Sequence, residues 1–226
     1  MSHTSILGTK KHWDAVYSKE HILYNQTKDI GECWYDDADA EDKIAHFILT
    51  HFGPGKTGGL CDLGTGNGHL LFKLSQLGLH NSAMVGIDYS SASVSFAKDV
   101  VSKGPDLEGI HFYQSDFLRN DDTFLGNHSG KFGLIIDKGT LDAIFLSKEK
   151  YQGLTGVEVY PHKVASMMKR NGVLLVTACN FTADELIDAV TKTGELEYWT
   201  RLEYPVFEFG GRKGSKVCTV GFRRRD

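Results

Sequence analysis

The chain has 226 residues, with Lys plus Arg at 25, Asp plus Glu at 29 and a net charge of -4; 41% of it is hydrophobic and 24% charged. Those proportions suit a single soluble α/β domain that can bury a sizeable core, and the charge balance offers no broad basic face, which disfavours nucleic acid as a partner. Cys33, Cys61, Cys179 and Cys218 form no C-x-x-C pair and the histidines no H-E-x-x-H, so neither a disulfide framework nor a metal site is expected.

Residues 1–56 read as an N-terminal helical extension. Lys10 and Lys11 are not followed by an apolar signal segment, and no run of about 20 apolar residues occurs. Secretion and membrane insertion are therefore not expected, and reduced thiols point to the cytoplasm, with the nucleus left open. Trp13 and Tyr17, four residues apart, form a packing pair on a helix. Gly31-Glu32-Cys33-Trp34-Tyr35 follows, then a helix carrying Ile44, Phe47, Ile48 and Phe52. Gly53-Pro54-Gly55 and Gly58-Gly59 break the chain before a core domain over 57–226.

Leu60-Cys61-Asp62-Leu63 reads as a short buried strand running into Gly64-Thr65-Gly66-Asn67-Gly68, with three glycines in five residues. A helix follows from His69 to Leu77, with Leu70, Leu71, Leu74 and Leu77 at helical spacing and Gly78 as its stop. Glycines at alternate positions free the backbone and let a ligand approach it. A dinucleotide G-x-G-x-x-G would need glycine where His69 stands, and no Gly-Lys-Ser/Thr makes a phosphate loop.

The second strand, Ala83 to Ile87, ends in Asp88. In an open α/β sheet an acidic residue there accepts ribose hydroxyls, and Tyr89 can lie against a base. Ser90 caps a helix carrying Val94, Ala97 and Val101. A third strand, Ile110–Gln114, ends in Ser115-Asp116-Phe117. A fourth, Phe132–Ile136, delivers Asp137-Lys138-Gly139-Thr140-Leu141-Asp142-Ala143 to the same edge. Val157–Lys169 reads as a helix closed by Asn171-Gly172, and Val173–Ala178 as a buried fifth strand. Thr182 and Glu185 form a capping box on a helix that ends at Gly194. Trp199–Phe209 and Val217–Phe222 then read as strands joined by Gly210–Lys216, with Arg223–Arg225 a solvated tail.

Asp62 followed by Gly64-Thr65-Gly66-Asn67-Gly68 resembles the first motif of the class I S-adenosylmethionine-dependent methyltransferases. The resemblance implies a Rossmann-like, mostly parallel seven-stranded α/β sheet with a C-terminal antiparallel hairpin. It also implies that Gly64, Gly66, Asn67 and Gly68 meet the methionine part of S-adenosylmethionine, while Asp116 takes the adenine amino group, Phe117 flanks the ring and Asp137 faces the methyl group. No Pro follows Asp137 closely, so the Asn/Asp-Pro-Pro-aromatic motif of enzymes acting on adenine or glutamine amino groups is absent.

Three further segments sharpen the resemblance: Cys-Asp-Leu-Gly-Thr-Gly-Asn-Gly, Asp-Lys-Gly-Thr-Leu-Asp-Ala, and the N-terminal pieces Leu7–Lys10, Trp13-Asp14, Tyr17 and Gly31–Tyr35. Together they are similar to the eukaryotic elongation factor 1-alpha lysine methyltransferases. That implies a protein-lysine N-methyltransferase whose partner is elongation factor 1-alpha, with Trp34 over the cofactor; the chain is expected to act as a monomer without a metal, with Asp137 as the candidate base. Tyr35 stands where that family usually has Phe, and Phe145 where it usually has Ser. The residues alone leave open a small-molecule methyltransferase with the extension as its lid, or a non-catalytic cofactor-binding adaptor.

Overall fold

The computed structural model describes residues 5–53, 56–79, 83–104, 107–205, 207–209 and 212–225. Strands β1 (Leu60–Leu63), β2 (Met84–Asp88), β3 (Ile110–Gln114), β4 (Phe132–Lys138), β5 (Met168–Ala178), β6 (Leu196–Leu202) and β7 (Cys218–Arg224) form one sheet in the order 3-2-1-4-5-7-6. All pairings are parallel except those of β7, which runs antiparallel to both β5 and β6. This is the sheet that the sequence implies.

Strand side chains alternate between faces, and the alternation feeds two cores. Leu60, Leu134 and Ile136 pack against α1 (Lys10–Thr27), α2 (Ala40–His51), α3 (His69–Leu74) and α4 (Ser91–Lys103) through residues such as Tyr24, Ile48, Leu71 and Phe96. Cys61, Leu63 and Ile135 face the other way, toward α5 (Thr123–Asn127), α6 (Thr140–Leu146), α7 (Gly156–Met167) and α8 (Ala183–Thr191), meeting Phe124, Leu141, Val164 and Leu186. Four of the helices start where a side chain satisfies orphan N–H groups at the N-cap. Ser90 caps α4, Asp122 caps α5, and the Thr155/Glu158 and Thr182/Glu185 capping boxes open α7 and α8.

Four boundaries differ from the sequence reading. The helix after the glycine turn ends at Leu74 and gives way to a wider turn closed by Gly78 at φ 100. Leu77, read as part of its apolar stripe, is 48% exposed. The helix expected to reach Lys169 stops at Met167, because Met168 already pairs with Phe132; Asn171, at φ 57, sits in a bulge within β5 instead of capping a helix. The strand expected over Trp199–Phe209 is β6, ending at Leu202. Pro205 brings no N–H to a ladder, and Phe207–Phe209 pairs separately with Arg212–Gly214. Arg223 and Arg224 are not a tail but the end of β7: Arg224 donates to the Met168 carbonyl, and Arg223 lies 4.5 Å over the Trp199 ring. Pro54-Gly55 and Gly210-Gly211, read as loop and hairpin points, lie outside the described residues.

Candidate active site

Strand order reverses between β1 and β4, and ligands bind in open α/β sheets at the carboxyl ends of the strands flanking such a switch point. A cavity lies there. The ends of β1 to β4 supply Asp62, Gly64, Gly66, Asn67, Asp88, Tyr89, Asp116, Phe117 and Lys138 to its wall, and the N-terminal extension supplies Trp13, Tyr17, Glu20, Glu32 and Trp34. Of the residues read from sequence as a site, only Gly68 and Asp137 are absent from that wall.

Each glycine of the turn has a positive φ, of 59, 58 and 84 at Gly64, Gly66 and Gly68, but the space each leaves differs. A Cβ on Gly64 would sit 2.1 Å from the Thr140 hydroxyl, which donates to Leu63 O and ties α6 to β1. One on Gly68 would strike the Phe72 and Phe112 rings, so Gly68 serves helix-to-sheet packing and not a ligand. Gly64 and Gly66 both line the cavity, and beside Gly66 the space a Cβ would need is taken by the Tyr17 hydroxyl, 2.6 Å away, so the glycine lets α1 close on the turn.

Asp88 is almost completely buried. Its Oδ2 accepts from Gly66 N at 3.0 Å and its Oδ1 from Ser90 N at 2.8 Å, so one carboxylate joins the glycine turn to the start of α4. Burial pushes its carboxyl up to about 6. Asp62, next to the turn, is pushed up to about 7 by burial, against the opposing effect of Lys138. Asn67 lines the cavity but spends its amide on the Ile30 and Glu32 carbonyls, at 3.1 and 3.0 Å, fastening the extension to the turn. Tyr89, Asp116 and Phe117 face the far end of the cavity with Glu149 and Tyr151.

Asp137 requires a correction. Its side chain is fully buried; Oδ1 accepts from Thr140 N at 2.8 Å, and Oδ2 from Leu141 N at 3.1 Å and the Tyr160 hydroxyl at 2.7 Å. The carboxylate therefore caps α6 from beneath instead of facing the cavity, and the geometry gives it no acceptor role toward a substrate amine. The alternation of β4 is the reason: Asp137 points into the core that holds Tyr160, and Lys138, one residue on, reaches the cavity.

The segment after α1 is pinned at three points. Lys138 Nζ donates to Trp34 O at 3.2 Å and lies 3.7 Å from Glu41. His69 Nδ1 is 2.7 Å from Glu41 Oε1 and the Cys33 thiol is 3.3 Å from its Oε2; hydrogen bonding to Cys33 and Glu41 pushes His69 up to about 10. The donors of Cys33, Glu41 and His69 lie within 4.8 Å of one another, but Lys138 and Lys73 already balance the charge of Glu41. Tyr35, at φ 65, donates to Asp142 Oδ2 at 2.5 Å, and Asp142 also accepts from Cys179 N and Asn180 N at 2.8 Å each. Trp34 leans on Trp13 with ring centroids 5.1 Å apart.

The sequence reading missed Tyr17, Glu20 and Lys138 as wall residues. A signal existed for the first two: Trp13, Val16, Tyr17 and Glu20 follow the i, i+3, i+4, i+7 spacing of one helix face, and a carboxylate on an otherwise apolar face is out of place unless it has a use.

Fold and cavity together define a methyltransferase of the Rossmann-like class. Residues 55–211 match the family model described as a methyltransferase domain. Over 99% of its length the chain is 40% identical to the protein-lysine N-methyltransferase EFM4 of Saccharomyces cerevisiae, 96% of which is covered. It is 32% identical to EEF1A lysine methyltransferase 2 of Homo sapiens, covering 97% of this chain and 87% of that one. Among solved structures, the N-methyltransferase NodS of Bradyrhizobium japonicum WM9 in complex with S-adenosyl-L-homocysteine shares the fold at a TM-score of 0.63 and 12% identity, over 95% of this chain and 99% of that one. The chain belongs to the protein-lysine N-methyltransferase family that includes EFM4 and EEF1A lysine methyltransferase 2. Among the described residues no helix is long and apolar enough to cross a membrane.

Proposed function

We propose that this chain, acting as a cytoplasmic monomer, transfers a methyl group from S-adenosylmethionine to the ε-amino group of a lysine in translation elongation factor 1-alpha. The observation that carries the reading is the cavity at the switch point, where Asp88 and the glycine turn meet under a cover formed by the N-terminal extension, in a chain whose near-full-length relatives bear names for that reaction.

The wall fits the cofactor chemically. It holds six carboxylates, Glu20, Glu32, Asp62, Asp88, Asp116 and Glu149, against the cations Lys138 and His69; the cofactor is cationic at its sulfonium and its α-ammonium. Among the described residues three buried polar atoms make no hydrogen bond, and two of them, Thr65 Oγ1 and Glu20 Oε2, belong to the cavity wall. When bound, S-adenosylmethionine supplies an electrophilic methyl group on positive sulfur. The protein's part is positioning. Asp88 offers acceptors to ribose hydroxyls, Tyr89 and Phe117 offer faces to the adenine, and Gly64 and Gly66 bring the turn backbone to the wall.

The acceptor amine must be uncharged. A free lysine has a pKa of about 10.4, so neutralising it near pH 7 costs roughly 4 to 5 kcal/mol. Enclosure beneath Trp34, beside Lys138, favours loss of that proton, because both burial and a like charge raise the cost of the ammonium. Phe145, 51% exposed and edge-on to Phe181 at 5.0 Å, sits on α6 just past Ala143 and Ile144 of the cavity wall and offers an aromatic surface to an approaching protein chain. Residues up to 56 then act as a lid on the catalytic domain at 57–226.

The test is transfer of tritium from labelled S-adenosylmethionine in a cytosolic extract. One labelled band comigrating with elongation factor 1-alpha, absent with Asp88→Ala, is expected. Label confined to small molecules would overturn the protein-substrate reading.

A further inference from the structure

Glu20 lies on α1, in the N-terminal extension and not at a strand end, and lines the cavity. Oε1 accepts from Glu32 N at 3.2 Å, whereas Oε2 is buried and accepts no hydrogen bond. Among the described residues it has no ion pair, and the two cations of the cavity wall are engaged elsewhere, Lys138 with Trp34 O and Glu41, and His69 with Glu41. Burial pushes its carboxyl above the usual range, against the opposing pull of the Glu32 N–H and of the nearby Asn67 amide, whose two hydrogens already lie on the Ile30 and Glu32 carbonyls. A carboxylate oxygen held out of water without a hydrogen bond is costly unless a ligand supplies a donor.

The backbone is shaped around this group. Gly31 has φ 95, and a Cβ there would fall 2.6 Å from Glu20 Cδ and 2.7 Å from Oε2. The chain thus uses a left-handed glycine to fold the Ile30–Glu32 segment against a half-buried carboxylate, and Asn67 of the glycine turn holds the same segment through its two carbonyl contacts. A continuous path runs from Asp88 to Gly66, Asn67, Glu32 and Glu20. Asp88 marks the ribose end, so Glu20 marks the end away from the nucleoside.

We infer that Glu20 is the acceptor for the α-ammonium group of the amino-acid moiety of the cofactor, an assignment that rests on the S-adenosylmethionine reading above. The chemistry selects this cation among the three at hand. A sulfonium carries no N–H and cannot use an unfilled acceptor. A substrate lysine beside a carboxylate would be stabilised in its charged form, which opposes transfer. An ammonium brings three donors to one compact charge.

The test compares two probes by calorimetric titration: S-adenosylhomocysteine and its deamino analogue, in which hydrogen replaces the α-ammonium. The wild-type protein should bind S-adenosylhomocysteine roughly 10- to 100-fold more tightly than the analogue, the range of a hydrogen bond to a charged group. Glu20→Gln should lose that advantage, binding both probes with the analogue's affinity. The ligand-free variant should melt no lower than wild type, because the charge on a carboxylate with one buried, unfilled oxygen has been removed. Equal binding of S-adenosylhomocysteine by wild type and variant overturns the inference and leaves the cofactor reading intact. A variant that loses both probes alike, or that melts well below wild type, also overturns it, since Glu20 would then act through the fold. Failure of wild type to bind either probe would instead sink the cofactor reading itself.

Discussion

Replacing Asp137 with Asn separates a structural carboxylate from a catalytic one. In the folded protein its oxygens serve Thr140 N, Leu141 N and the Tyr160 hydroxyl, all within a fully buried site. An Asn whose oxygen stays on the helix N-terminus keeps the Thr140 bond, but its NH2 then faces Tyr160, whose own hydroxyl proton is left in the core without an acceptor. The reverse orientation points donors at donors. Charge-assisted bonds worth about 1.5 to 3 kcal/mol give way to neutral ones worth about 0.5 to 1.5, and one buried donor goes unsatisfied. Against this, burial already pushes the Asp137 carboxyl up to about 7, so loss of the charge relieves part of the cost. The net destabilisation is about 2 kcal/mol, which for a chain of this size lowers the melting temperature by roughly 4 to 8 °C. Urea unfolding should show the same loss with an unchanged slope, while affinity for S-adenosylhomocysteine changes less than about threefold, around 0.7 kcal/mol. Tyr160→Phe should lose a similar share of stability, and the double variant less than the sum, because the two groups share one bond. A variant as stable as wild type whose turnover falls about 100-fold or more would refute the capping argument and restore Asp137 as a base.

Asp88→Ala should weaken S-adenosylhomocysteine binding by about 1.5 to 3 kcal/mol in a folded protein, and unchanged affinity by calorimetry would remove it from the site. Because its folded pKa of about 6 exceeds the unfolded value, its contribution to stability is complete below about pH 4 and is lost as pH rises through 6. Ligand affinity runs the other way: it should climb between about pH 5 and 7 as the acceptor ionises, and a profile identical in Asp88→Asn would exclude this group as the cause. Trp34→Ala should cost less than the roughly 3 to 5 kcal/mol of a core truncation but shrink the thermal shift produced by saturating S-adenosylhomocysteine; a much lower melting point with the full shift kept would return Trp34 to the core. His69, pushed up to about 10, contributes stability that is complete below about pH 6.5 and lost as pH rises through 10. The wild-type melting temperature should therefore fall more steeply across that window than that of His69→Gln, and parallel profiles would count against the Cys33–Glu41–His69 cluster as the clasp of the extension.

Periodicity and motif spacing determined the sheet and most of its helices, because both depend on local rules: alternation in β1 and β4, capping boxes at Thr155 and Thr182, and glycines where the backbone turns left-handed. The strand-end part of the cavity wall was legible for the same reason. Asp62, Gly64, Gly66 and Asp88 occupy positions set by strand ends, and the parallel sheet carries strand ends to one edge. Boundaries moved where tertiary pairing outweighed local preference, as at Met168, which joins Phe132 in the sheet instead of prolonging a helix. What only the fold decided is the direction of each side chain once the segments meet. Asp137 and Lys138 are neighbours in sequence, but the pleat sends one carboxylate beneath α6 and the other side chain into the cavity. Glu20 and Asn67, 47 positions apart in the sequence, share a wall because Asn67 binds the backbone that wraps around Glu20. Contacts of that kind join segments with no fixed spacing, so no pattern along the chain encodes them.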